Sequence, residues 1–477
     1  MHFIEKGKQM KRGYLLGTAV VVALAGATAR ADVKDPLPDS LSLGGVTVYG
    51  TVDVGYAYQS KGVPLNGDYL GGLEYQAFTT TRNFSGSVST PAESGLEQSK
   101  IGIRVAEPII GDLQLIARAE TAFNPLSGKL TDACNAIAQN SGKPQGEQTA
   151  NADSSRCGQA FNSMLFGGVA SATYGQLTIG RQNSLQLDAL AQFDPQALSY
   201  AFSFLGYSGF DAGAGSTQAG RWDNAFRYGY QSGPIHAAVM YTNGGQDTGI
   251  IGRAYGLDAG LTWNALAVEA VYENERGAVN LRSSFDDGAN PLPTPGLEAY
   301  VSNDTSINIM GKYTLDLDKG GVKDKLTLYA GYTHLQKAHA GYTDGAAQAG
   351  YPIDVAININ SSAVYNVEWI GARYAMASGL NLVGGLYHIN QNSWTIGVGT
   401  EGTQELGCSA AGLLCAGNFY EASLVADYVI NKHYDAYVGL NYSEVTDGLA
   451  NGFPGTTVGT AGSESQTTLM VGFRVKF

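Results

Sequence analysis

The sequence predicts an all-β fold, a transmembrane antiparallel β-barrel of about sixteen strands. Three observations predict it: two-residue alternation along the whole chain, connections that switch between very short and very long, and a last segment that ends on an aromatic. Successive side chains of a strand point to opposite faces. In Gln466 to Phe477, the residues Leu469, Val471, Phe473, Val475 and Phe477 share one face, and Met470, Gly472, Arg474 and Lys476 share the other. One wall is apolar and the other cationic, as expected of a cylinder with lipid outside and water within.

The same period of two marks the other elements in order. Val46 to Tyr58 is the clearest, with Val46, Val48, Val52, Val54, Tyr56 and Tyr58 set against Thr47, Tyr49, Thr51, Asp53 and Ala57. Strands follow at Ser99 to Glu107, Leu113 to Phe123, Ser163 to Ala170, Gly175 to Gln182 and Arg221 to Gln231. The middle of the chain gives Pro234 to Asn243, Gly252 to Trp263, Leu266 to Asn274, Asp304 to Leu315 and Lys325 to Leu335. The last five are Ala363 to Met376, Leu380 to Ile389, Asn418 to Tyr428, His433 to Ser443 and Gln466 to Phe477. Most approach the 9–11 residues that a tilted membrane strand requires.

Connections after even-numbered strands are tight, as at Pro108 to Asp112, Ser171 to Tyr174, Ser232-Gly233, Asn264-Ala265 and Ser378-Gly379. Those after odd-numbered strands are long, far beyond the usual hairpin loop of about 2–5 residues. Short periplasmic turns at one rim and long extracellular loops at the other give this asymmetry. Aromatics fall where an apolar band would end: Tyr230, Tyr241, Trp263, Tyr272, Tyr313, Tyr332, Tyr374, Tyr428, Tyr442 and Phe477. Amphipathic rings are stable at headgroup level.

The N-terminus reads as an export signal. Lys6, Lys8, Lys11 and Arg12 form a basic start, Leu15 to Ala27 an apolar core, and Ala29-Arg30-Ala31 a small-x-small cleavage site. The apolar run is shorter than the roughly 20 residues of a spanning helix. Met1 and Met10 are both candidate starts. Residues 1–31 are therefore expected to be removed near Ala31, leaving 32–477 as a single barrel domain; no linker or compositional shift divides it.

Charged residues make up 15% of the chain, which carries 64 Gly, 28 Tyr and only 7 Met, a composition of strands and turns. The formal net charge is −13, and loss of the basic leader makes the remainder more acidic still. Such acidity argues against a nucleic-acid partner, which requires a basic footprint. Four cysteines fall in two local pairs, Cys134 with Cys157 and Cys408 with Cys415, in polar segments between strands. In an exported chain an even count points to disulfides, with neighbour pairing first among three connectivities. Metal binding is the alternative, but no His or third thiol lies near either pair in sequence.

Several segments resemble Gram-negative general porins. They are Val48-Tyr-Gly-Thr-Val-Asp53, Ser99-Lys-Ile-Gly-Ile-Arg104 with the Gly111-Asp-Leu113 turn, Tyr174-Gly-Gln-Leu-Thr-Ile-Gly-Arg-Gln182, and Arg221-Trp-Asp-Asn224. Together with Phe477 they cover essentially the whole mature chain, and the nearest likeness is to trimeric porins of beta-proteobacteria. The resemblance implies sixteen strands, a homotrimer and a third loop folded into the lumen. It also implies a C-terminal barrel-assembly signal at Phe473, Val475 and Phe477, read by the barrel-assembly machinery, and contact with outer-membrane lipid and lipopolysaccharide. Ser171-Ala-Thr-Tyr174 departs from the family's more acidic turn, and the first two loops are long, so pore width is left open.

The candidate constriction follows from the lumen face. Lys100 and Arg104 share it with Gly102 on the second strand, and Arg118 and Glu120 share it on the third. In porins of this kind a cationic wall faces acids of the third loop, here Asn183 to Gly220, which contains Asp188, Asp194 and Asp211 and ends at Arg221. The loop also carries Phe193, and its rings from Tyr200 to Phe210 (Tyr200, Phe202, Phe204, Tyr207 and Phe210) give an alternative, an aromatic track for sugars. Screening within about 8 Å makes size the first filter and charge the second.

Enzymatic readings fare poorly. His236 is expected to face the lumen without a nucleophile motif, and Gly206-Tyr-Ser-Gly209 is one residue short of a nucleophile elbow. Asp316-Leu-Asp318 lacks the full ligand set of a calcium loop, and zinc spacing is missing, so no metal or cofactor is expected. The expected function is passive passage of small hydrophilic solutes and ions. A solute-selective channel, for a sugar or an organic anion, and a loop-plugged structural or adhesin barrel are the alternatives.

Overall fold

Alternation places one face of each segment in lipid and the other in water, and closure leaves no unpaired edge. The computed structural model describes residues 41–61, 86–132, 156, 158–207, 220–244, 252–282, 297–340, 347–348, 351–359, 361–394, 396–398, 416–448 and 462–477. The expected leader 1–31, Asp211, Cys134, Cys157, Cys408 and Cys415 lie outside the described residues.

Sixteen strands form the wall. The first eight are β1 (Val46–Gln59), β2 (Lys100–Ile110), β3 (Leu113–Ala122), β4 (Met164–Ser171), β5 (Gly175–Asn183), β6 (Arg221–Ser232), β7 (Ile235–Thr242) and β8 (Arg253–Trp263). The second eight are β9 (Leu266–Arg282), β10 (Leu297–Lys319), β11 (Val322–His339), β12 (Ala363–Ala375), β13 (Leu380–Gln391), β14 (Gly417–Asn431), β15 (Tyr434–Asp447) and β16 (Gly462–Lys476). Each pairs antiparallel with the next, and β16 returns to β1 with Val475 opposite Val52 and Phe473 opposite Val54. The seam is closed at its end by Phe477, whose N–H donates to the Gly50 carbonyl at 3.1 Å and whose carbonyl accepts from the Gly50 N–H at 3.0 Å.

The outer face is apolar. Ile103, Leu165, Ile179, Val239, Leu257, Ile309, Ile370 and Leu424 are exposed there, while Met470, Val367 and Ile389, of the opposite parity on their strands, are buried inside. Tyr230, Tyr241, Trp263 and Tyr428 project from the same outer face near strand ends, as an aromatic girdle requires, and Tyr313, Tyr332 and Tyr442 share that face farther from the ends.

Three differences from the sequence expectation have physical causes. β10 and β11 run on to a two-residue turn at Gly320-Gly321, both at positive φ, so Asp316 and Asp318 belong to a strand end. Asp318 accepts the Gly321 N–H at 3.1 Å and Asp316 pairs with Lys325 at 3.7 Å. The expected first long loop contains a strand, Val88–Glu93, paired with the upper half of β1. Ser94, at φ 57°, then throws residues 94–99 inward before β2 resumes the ladder. The Asp53 carboxylate holds this inward bulge, accepting the N–H groups of Leu96 and Glu97 at 2.9 Å each.

The third loop opens with α1 (Leu185–Phe193), capped by Ser184, whose Oγ accepts the Leu187 N–H at 3.2 Å. A short turn of helix, α2 (Phe204–Tyr207), follows.

Candidate functional site

The third loop crosses the lumen and is fixed to the far wall. Gln186 N–H donates to Glu273 of β9 at 3.0 Å, and Lys312 of β10 donates to the Gln192 carbonyl at 3.2 Å. Trp369 and Arg373 of β12 donate to the Phe193 and Pro195 carbonyls, each at 3.0 Å. Gln196 reaches Ser423 of β14 at 3.0 Å, and Asn441 of β15 donates to the Ala201 carbonyl at 3.1 Å. Ser199 Oγ donates to the Gly95 carbonyl in the inward bulge at 2.7 Å, which ties the loop's tip to the barrel seam.

Glycines on the inner wall make room for it. A Cβ at Gly371 would stand 2.4 Å from Pro195, and one at Gly439 would stand 2.4 Å from the Phe202 ring. These seats are legible in principle as inward-parity glycines within otherwise regular strands. The rings Tyr200, Phe202 and Phe204 are buried, Phe204 packing at a tilt of 33° on Phe419 with centroids 4.3 Å apart. These three rings therefore face no solute, and the side chains of Tyr207 and Phe210 lie outside the described residues.

The expected basic groups come together on the opposite side. Lys100 pairs with Glu97 of the bulge at 2.9 Å. Arg118 pairs with Glu120 at 2.6 Å, donates from Nε to Tyr49 Oη at 2.6 Å and lies 5.2 Å from the centre of that ring. Tyr49 in turn donates to Glu120 at 2.8 Å, directly across Gly102. Gly102 permits this meeting, since a Cβ there would lie 2.4 Å from the Tyr49 ring. Arg104 stands opposite Arg118 in register, and among the described residues no acid pairs with it. Arg474 joins the array by pairing with Asp435 at 3.0 Å and Glu97 at 3.4 Å, and Lys476 pairs with Asp435 at 3.1 Å.

The third-loop acids are placed differently from a free acidic rim. Asp188 in the first turn of α1 pairs with Arg227 and accepts from Asn183 at 2.9 Å. Asp194 caps the end of α1 in a buried position, accepting from Tyr387 Oη at 2.6 Å and from the Leu198 and Gln196 N–H groups at 2.7 and 3.2 Å. Burial raises the Asp194 carboxyl pKa, and the donors around it oppose the rise. Asp194 thus anchors the loop and does not line the lumen, because it is buried between Tyr387 of the wall and two N–H groups of the loop itself. Arg221 opens β6 opposite Asn183 at the loop's exit. A further group that sequence reading missed is Arg181, paired with Asp223 at 2.8 Å.

A family model described as Gram-negative porin matches residues 17–448. Among solved structures, an anion-selective porin from Comamonas acidovorans is similar at 16% identity, with a TM-score of 0.54 over 91% of this chain and 99% of that one. In-vitro folded OmpT, an outer membrane protein of Vibrio cholerae, is similar at 13% identity, with a TM-score of 0.52 over 92% of this chain and 100% of that one. At these identities the likeness shows the fold. A comparison with curated proteins gave no significant match.

Proposed function

The chain belongs to the Gram-negative porin family, an outer-membrane channel for small hydrophilic solutes, and from that premise we propose that it is a general-diffusion pore. Its constriction lies between the third loop and the wall of β1, β2 and β3. The loop's path carries this reading: fixed to β9 through β15, it leaves Lys100, Arg104, Arg118 and Glu120 on the side it does not cover. Arg104 is the group there without an acid partner among the described residues, so it supplies the local attraction for anions. Asp188, held by Arg227, sits at the loop's entry, whereas Asp194 keeps the loop in place.

The assembly proposed is a homotrimer. Residues 1–31 are removed on export, 32–477 make one barrel domain, and Cys134–Cys157 and Cys408–Cys415 staple extracellular loops. Phe473, Val475 and Phe477 serve as the assembly signal.

Planar-bilayer recording tests the pore reading. The expected current is large, ohmic and weakly selective. Saturation by one solute points to the selective alternative, and absence of current to a plugged barrel. Gly371→Leu with Gly439→Leu should unseat the third loop and raise the conductance, each overpacked contact costing about 1–3 kcal/mol. Unchanged conductance in a folded double variant would remove the loop from the constriction.

A further inference from the structure

His236, Gly260 and Glu269 form one cross-strand row on the lumen side of β7, β8 and β9. Gly260 is the register partner of His236 on one side and of Glu269 on the other. With no side chain between them, His236 Nε2 and Glu269 Oε1 meet at 2.8 Å. A Cβ at Gly260 would stand 2.3 Å from both Glu269 Oε2 and His236 Cε1, so the glycine keeps the space open. Asp258, two residues along β8 on the same face, brings a carboxylate oxygen to 3.7 Å from His236 Nε2. One donor atom from each of the three lies within 4.8 Å of the others.

That spacing suits an ion. Bonds of about 2.0–2.1 Å in a tetrahedral site put neighbouring donors roughly 3.3 Å apart, close to the separations observed. The charge balance points the same way. Two carboxylates converge on one imidazole, while the nearest cations are engaged elsewhere. Arg227 is paired with Asp188, and Lys312 holds the Gln192 carbonyl at 3.2 Å and lies 4.9 Å from the centre of the Phe193 ring. All three donors are largely buried yet open to a wet lumen, which gives the ion a path of entry and free coordination positions. One imidazole nitrogen with two carboxylates favours a first-row transition metal over the all-oxygen preferences of calcium and magnesium. No linear spacing announces the site, because the barrel's register assembles it.

We propose that His236, Asp258 and Glu269 bind one first-row transition-metal dication, with zinc as the probe. The bound ion cancels the negative charge that Asp258 and Glu269 give this part of the wall. This goes beyond the diffusion reading and is measured independently of current.

Tag-free refolded protein in detergent, stripped with a chelator, is titrated with zinc by calorimetry, and the metal retained after gel filtration is counted. One zinc per chain is expected. His236→Ala and the isosteric Glu269→Gln should abolish retention. Gly260→Ala, which removes no donor, should weaken binding by about 10–100-fold, as loss of a supporting contact around a metal does. Excess magnesium should not compete. Heat-dependent gel migration reports folding of each variant, and Glu269→Gln keeps the test decisive if His236→Ala misfolds. No retained zinc, or equal retention by a folded Glu269→Gln variant, overturns the proposal. In bilayers, zinc should move the reversal potential of the wild type toward anions and leave that of Glu269→Gln unmoved.

Discussion

Two rows of the barrel wall use the same device and reach opposite electrostatic ends. In the row Tyr49–Gly102–Glu120 and in the row His236–Gly260–Glu269, a central glycine lets its two register partners meet at 2.8 Å. In the first row a cation completes the cluster: Arg118 pairs with Glu120 and donates to Tyr49 Oη. In the second, a further carboxylate is added instead, that of Asp258. A glycine in the middle of an inward-facing row therefore creates a meeting place, and the neighbour two residues along a strand decides what the place holds. A neutralised cluster stiffens the wall, and an acidic one is left for a cation from solution.

The largest effect that tests this contrast comes from removing the cation of the first row. Arg118→Met leaves a buried carboxylate without its partner, at a cost of about 3 kcal/mol. The midpoint of heat-induced barrel unfolding in detergent should fall, and Asp258→Asn should by contrast hold or raise it, since it relieves like charges. Equal losses in both variants would mean that the two rows do not differ in the way described. Next in size are the glycines themselves. Gly102→Ala should destabilise by about 1–3 kcal/mol through overpacking, because the Tyr49 ring is locked by two hydrogen bonds. Gly260→Ala should cost less in stability, as the His236 ring is held through one hydrogen bond, to Glu269, where Tyr49 has two. A smaller loss at Gly102 than at Gly260 would show that Arg118 does not lock the first row.

Much of this architecture is legible in the sequence, and the limits are instructive. All sixteen wall strands announce themselves, because lipid on one side and water on the other impose a strict period of two. Val88–Glu93 escapes notice because the excursion at 94–99 breaks the alternation before β2 resumes it. The helix α1 carried a readable signal in Ser184 followed by Asp188, a cap and a first-turn acid. Parity alone puts Lys100, Arg104, Arg118 and Glu120 on one face, and strand register sets Arg104 opposite Arg118 and Gly102 opposite Glu120. Their partners were not readable: Tyr49 and Glu120 are 71 residues apart, and only strand register brings them together. Asp194 misled for a related reason. An acid in a polar loop reads as solvated, whereas its acceptor oxygens here answer Tyr387 of the wall and two backbone N–H groups of the loop itself.

The finest distinction concerns Arg104, which borders the first row without joining it. Lys100 and Arg118 face acids at 2.9 and 2.6 Å, so their charges are largely spent within the wall. Arg104 pairs with no acid among the described residues and keeps its full field toward the lumen. Arg104→Gln should therefore leave the unfolding midpoint unchanged and shift the reversal potential toward cations under a salt gradient. Because the lumen is wet and screens charge within about 8 Å, the shift should be on the order of a few millivolts and shrink as salt rises. Arg118→Met changes the same potential through the uncovered Glu120 but also lowers stability, so the two variants separate the effects. An unmoved potential in Arg104→Gln at low salt would place the narrowest part of the pore away from β2, and the acidic row at β7 to β9 would then be the wall that solutes meet.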